Sequence, residues 1–129
     1  MKYFTIDELC KSNTAREKKI PNYPQSEEVF DNLRALADNI LDPARERLGR
    51  PIYVNSGYRC PKVNEMVGGV KNSQHMKGQA ADIFCSGDMT ELWNILLTTD
   101  FDQLIVYKHK HFFHISYNKD HNRRQVLSL

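Results

Sequence analysis

The chain has 129 residues, 40% hydrophobic and 26% charged, a balance that suits one globular domain spanning 1–129 and excludes a disordered chain. A formal net charge of +2 leaves no footprint for nucleic acid. No apolar run approaches the roughly 20 residues that cross a bilayer, which argues against membrane insertion.

The N-terminal "MKYFTIDELCKSN" carries Asp7 and Glu8 where a secretory signal would be apolar, so synthesis in the cytoplasm is expected. Thr5 with Glu8 three residues on has the form of a capping box and predicts a short first helix. "SNTAREKKIPNYPQ", with two prolines and many polar groups, reads as a surface loop. Ser26 then opens the longest predicted helix, "SEEVFDNLRALADNILDPARERLG". Val29, Leu33, Leu36, Ile40 and Leu41 recur at three- and four-residue steps, the signature of one buried face. Pro43 lacks an amide hydrogen and predicts a kink near Asp42, and Gly49 suits the stop.

"PIYVNSGYR" reads as a strand running into a loop, and "CPKVNEMVGGV" as a short helix closed by Gly68 and Gly69. "GQAADIFC" is a second strand, and "DMTELWNILLTT" an amphipathic helix capped by Asp88. "DQLIVYK" and "HFFHISY" are close enough to form a hairpin, and "RQVLSL" adds a last strand. Cys10, Cys60 and Cys85 lack ligand spacing and read as reduced packing groups. The expected fold is α+β, with helices packed on one mainly antiparallel β-sheet, and a monomer.

The residues with chemical potential lie in two stretches. "SQHMKGQAADIF" places His75 and Asp82 seven residues apart around Gly78, Ala80 and Ala81; "HKHFFHIS" holds three of the five histidines. A catalytic zinc site takes three protein ligands and keeps one position open. His75 on a loop, Asp82 in the next strand and His114 from a neighbouring strand make a coherent set. Spacing alone does not select it, because a single histidine or strand aspartate reads more readily as a surface or hydrogen-bonded structural group.

"SGYRC", "SQHMKGQAAD", "FDQLI" and "HIS" occur in that order, and together they resemble the M15 peptidases. That is the group of zinc D-Ala-D-Ala carboxypeptidases and Hedgehog-like metallopeptidases, here in its small single-domain branch from bacteria and phages. The resemblance runs from "YFTIDELCKS" almost to the C-terminus and implies a Hedgehog/DD-peptidase-like fold. It also implies one zinc ion on His75, Asp82 and His114, with Arg59 and Ser73 on the substrate side. The implied substrate is a peptidoglycan stem peptide cut at an amide next to a D-amino acid. Phage-type release would reconcile a cytoplasmic origin with a cell-wall substrate.

The sequence departs from that family at the general base. The resemblance leads to a carboxylate three residues before the last ligand, where this chain has His111. "VYKHKH" offers no acid, leaving His111 as the base candidate, with Tyr107 and His109 beside it. Residues three apart on a regular strand face opposite sides, so His111 needs a bulge or a turn to reach the metal. The same departure supports an alternative, a zinc-bearing peptidoglycan-binding module without turnover. Asp102 is a candidate orienter for a ligating imidazole.

Overall fold

In the computed structural model, all 129 residues are described, and their first ordered feature is a double cap. The Thr5 hydroxyl accepts the amide of Glu8 while the Glu8 carboxylate accepts the amide of Thr5, starting helix α1 (Ile6–Leu9). The predicted loop that follows contains a further helix, α2 (Asn13–Lys18). Ser12 caps it by accepting the Ala15 amide, and Lys19 closes it in the left-handed region. Its polar surface carries no apolar stripe, because only Ala15 is buried, so periodicity does not reveal it.

The long predicted helix is divided into three. Helix α3 (Glu27–Leu36) starts at Ser26, whose hydroxyl accepts the Val29 amide; a π-helical turn (Ala37–Leu41) follows, and α4 (Asp42–Leu48) continues to Gly49 at φ 74°. The irregularity therefore falls in the turn before Pro43. A proline inside a helix lacks the amide that would return to the carbonyl four residues back, and its ring crowds that carbonyl. Widening the preceding turn absorbs both effects; the Asp42 amide reaches back to the Ala37 carbonyl, five residues away. Asp42 then fastens the N-terminus, accepting the amides of Lys2 at 2.5 Å and Tyr3 at 3.0 Å.

The remaining elements are β1 (Tyr53–Ser56), α5 (Pro61–Met66), β2 (Ala80–Phe84), α6 (Thr90–Leu96), β3 (Gln103–Val106), β4 (Phe113–Ser116) and β5 (Gln125–Ser128). Asp88 accepts the Thr90 amide at 2.7 Å ahead of α6. The five strands form one sheet in the order β1-β2-β4-β3-β5, antiparallel except for β5, which runs parallel to β3. The fold is α+β, and the sheet is mixed but mainly antiparallel.

Strand alternation sorts side chains between the two faces of this sheet. Ala81, Ile83, Leu104, Phe113 and Ile115 join Leu33, Leu36, Ile40, Leu41, Leu92 and Leu96 of the helices in the main core. Each fully buried aliphatic chain there contributes about 1.5–3 kcal/mol relative to exposure. Asp82 and His114 have the opposite parity and point to the other face, which the β1–β2 connection, residues 57–79, partly covers. No helix is long and apolar enough to cross a membrane.

Candidate metal centre

Asp82 and His114 are direct partners across the antiparallel β2–β4 ladder. Their side chains meet on the open face, with His114 Nδ1 3.1 Å from Asp82 Oδ1. The third member arrives from the covering loop: His75 Nε2 lies 3.4 Å from the same oxygen. One potential ligand atom from each residue falls within a 4.8 Å cluster.

The loop is built to hold His75. Gly57 passes so close to α1 that a Cβ there would lie 1.9 Å from the Leu9 carbonyl oxygen, a position open only to glycine. The Gly57 carbonyl is thereby aimed at the histidine, 2.8 Å from Nδ1. A proton on Nδ1 makes that contact a hydrogen bond, and Nε2 is the ring nitrogen turned toward Asp82. The Ser73 hydroxyl accepts the His75 amide at 3.1 Å, and the His75 carbonyl accepts the Arg59 amide at 3.1 Å. Gly78, at φ 74°, turns the chain back toward β2, and a Cβ there would press on the Val29 carbonyl at 2.7 Å.

The cluster has the donor chemistry of a small divalent cation site. Tetrahedral zinc with bonds of about 2.0–2.1 Å keeps its ligand atoms about 3.3 Å apart. The 3.1 and 3.4 Å separations of the two histidines from Asp82 Oδ1 match that spacing, and all three ligand atoms lie within 4.8 Å of one another. His75 is 4% exposed, and His114 and Asp82 retain only small openings on one side. Burial by itself would raise the Asp82 carboxyl, but hydrogen bonding to His114 and His75 overrides it and holds the group well below the usual carboxylate range. Asp82 is therefore ionised and ready to ligate.

A cavity of about 360 Å³ opens over the cluster, lined by Arg59, Ser73, Gln103, Tyr107 and Phe112 among others. Arg59 Nη2 stands 3.7 Å from Asp82 Oδ2, so the carboxylate divides its oxygens between the histidines and the guanidinium. Burial lowers the Arg59 pKa and Asp82 offsets part of that effect. Burial, reinforced by Asp82, raises the Tyr107 phenol, which is protonated at neutral pH and available as a donor. Tyr107 and Phe112 stack at 5.3 Å across the two ends of the β3–β4 turn. A larger cavity of about 450 Å³, lined by Met89, Trp93, Val106 and Phe113, contains none of the metal-cluster residues.

The structure does not bring His111 to the cluster. Phe112 shares the parity of His114 and lines the cavity, whereas His111 does not line it: its ring packs 5.9 Å from that of Phe84, and its Nε2 lies 2.8 Å from the Cys85 carbonyl. His109 occupies the turn at φ 67° and is exposed. Asp102 is not an imidazole orienter: its carboxylate accepts from Gln74 Nε2 at 2.9 Å and from Arg123 Nε and Nη2 at 2.9 and 3.0 Å. The Gly57 carbonyl has that position instead. Residue-type reasoning missed it because any residue supplies a backbone carbonyl; the small residue in "SGYR" was the available signal. The Ser73 hydroxyl accepts the local hydrogen bond from the His75 amide that caps the loop, while Ser73 also lines the cavity.

A family model described as Peptidase M15 matches residues 2–116. A zinc D-Ala-D-Ala carboxypeptidase of Streptomyces albus G is 48% identical over 44 residues. That aligned segment is 33% of this chain and 17% of the relative, so the likeness concerns a small part of the longer protein.

Proposed function

The chain belongs to the M15 peptidase family, and from that premise we propose that it is a zinc-dependent peptidase of peptidoglycan stem peptides, cutting an amide next to a D-amino acid. The observation that carries this reading is the His75–Asp82–His114 cluster, its first histidine pinned by the Gly57 carbonyl and its open side facing a cavity walled by Arg59. When bound, zinc supplies Lewis acidity toward a carbonyl oxygen and lowers the pKa of water.

The protein's own groups act around that centre. His75 and His114 present ring nitrogens held by backbone and ladder contacts, which limits reorganisation during the reaction. Arg59 offers a planar cation for a terminal carboxylate or for charge developing on the scissile oxygen. Tyr107 donates a phenolic proton to a substrate oxygen and, being protonated, does not serve as the base. Val70, Ile105 and Phe112 give the cavity an apolar wall suited to a small side chain. The D-alanine class of substrate follows the name of the Streptomyces albus G relative.

A specific observation favours a second reading, a zinc-bearing peptidoglycan-binding module with little or no turnover. No carboxylate besides Asp82 lines the cavity, and His111 is engaged with the Cys85 carbonyl. Metal analysis by mass spectrometry, paired with release of new amines from purified peptidoglycan, separates the two. Stoichiometric zinc with amine release supports the peptidase; zinc with peptide binding but no release selects the binding module. Absence of zinc after loading at neutral pH overturns both. Action on the wall after phage-type release is part of the same proposal.

A further inference from the structure

Arg59 is held from behind as well as aimed forward. Its Nε donates to Ser56 Oγ at 3.3 Å, and its Nη1 donates to Asn64 Oδ1 at 3.3 Å. Guanidinium has five N–H donors in a rigid plane. With Nε and one Nη1 proton engaged, the edge that remains is the end formed by Nη1 and Nη2, and Nη2 leans toward Asp82 Oδ2.

Asn64 lies outside the cavity lining and is 4% exposed. Its other amide atom, Nδ2, donates to the Val70 carbonyl at 2.9 Å. The backbone of Asn64 closes the same unit, its amide donating to Cys60 and its carbonyl accepting from Gly69, both at 2.9 Å. Gly69 is confined by space: a Cβ there would lie 2.1 Å from Asn64 Oδ1 and 3.1 Å from Arg59 Nη1. One buried amide thus joins the guanidinium to the loop that supplies Val70.

We propose that Asn64 is a positioning residue which fixes the Arg59 guanidinium end-on to the cavity, and so sets affinity for substrates ending in a free carboxylate. The carboxylate part rests on the reading of Arg59 given under the proposed function. The positioning part does not, because it concerns an orientation held without substrate. A free, rotating arginine would lose more rotamer freedom on gripping an anion than one already hydrogen-bonded in place.

Two measurements on the full zinc-loaded chain test it, with Asn64→Ala and Asn64→Asp compared. Asp keeps an acceptor for Arg59 but removes the donor to Val70, so it separates arginine positioning from loop tethering. Nitrogen-15 NMR should show distinct, slowly exchanging Arg59 Nη signals in the parent, averaged signals in Asn64→Ala, and distinct signals again in Asn64→Asp. Calorimetry with N-acetyl-D-Ala-D-Ala should show about tenfold weaker binding in Asn64→Ala, the order of one charge-assisted hydrogen bond. Binding should recover in Asn64→Asp, and the C-terminal amide of the same peptide should bind all three forms alike.

Averaged Nη signals in the parent, unchanged signals in Asn64→Ala, or an Asn64→Asp protein that behaves like Asn64→Ala would overturn the proposal. If Asn64→Ala fails to fold, Gly69→Ala takes its place, since the added methyl displaces the Asn64 amide without removing it; retained Nη order there is equally fatal. A parent protein that shows the Nη pattern but binds neither peptide defeats the carboxylate reading and leaves the positioning role standing.

Discussion

Asp82 and His114 face one another directly across the β2–β4 ladder, with their side chains 3.1 Å apart on the face opposite the main core. Two adjacent strands thus hold two of the three cluster residues by backbone hydrogen bonds, and only His75 depends on a loop. Rigid sheet elements place donors more reproducibly than loops do. The cluster is accordingly sensitive to its ligands and to the one carbonyl that orients the loop histidine.

Replacing His75 or Asp82 by alanine is expected to weaken zinc binding at least 100-fold, beyond the 10–100-fold typical of losing an outer partner. Chelator competition on purified protein measures this independently of catalysis. Retention of parental zinc affinity in both variants would refute the metal centre.

Gly57→Ala is expected to lower thermal stability and zinc affinity together. The new methyl would collide with the Leu9 carbonyl, and the shift would move the carbonyl that holds His75 Nδ1. A loss of stability of several kcal/mol is the range for such backbone strain. Thermal unfolding of the apo and zinc-loaded variant checks both effects, and an unchanged metal affinity in a destabilised protein would separate them.

His111→Ala is expected to leave zinc affinity unchanged and to cost about 1 kcal/mol, the net value of a typical hydrogen bond, through its lost contact with Cys85. Urea unfolding gives the stability change. Should hydrolysis fall 100-fold with zinc and fold intact, His111 is the base despite its position in the free protein.

Asp102 links pH to stability. Burial would raise its carboxyl, but hydrogen bonding to Arg123 and Gln74 holds it below the ordinary value. A carboxylate lowered in the folded state contributes stability above its unfolded pKa of about 3.9 and loses it as pH falls through the lower folded value. Asp102→Asn should therefore be less stable than the parent near pH 7, with the gap closing below about pH 4. A gap that stays constant from neutral to strongly acidic solution would contradict this account.

Thiol chemistry provides a test of burial. The Cys10 thiol is pushed up to about 12, chiefly by burial and further by Asp7. Cys85 is fully buried, while Cys60 is partly exposed. Alkylation of native protein at neutral pH followed by mass mapping should label Cys60 first, and early labelling of Cys10 would contradict the packing around it.

Local chemistry in the sequence determined much of this protein. Thr5 with Glu8, the stepped apolar residues after Ser26, Gly49, and the alternating strands each act over a few residues, where hydrogen-bond caps and side-chain period decide the outcome. The motif order around His75, Asp82 and His114 was legible for the same reason, as was the conflict in parity between His111 and His114. The tertiary structure decided what depends on partners distant in the chain. Ladder register set Asp82 opposite His114, the approach of Gly57 to Leu9 aimed a carbonyl at His75, and β5 joined β3 in parallel. It also gave Asp102 to Arg123 and Gln74, gave Asn64 to Arg59, and moved the helix distortion into the turn before Pro43. A local pattern specifies which face a side chain takes; which group waits on that face is set by packing between segments tens of residues apart.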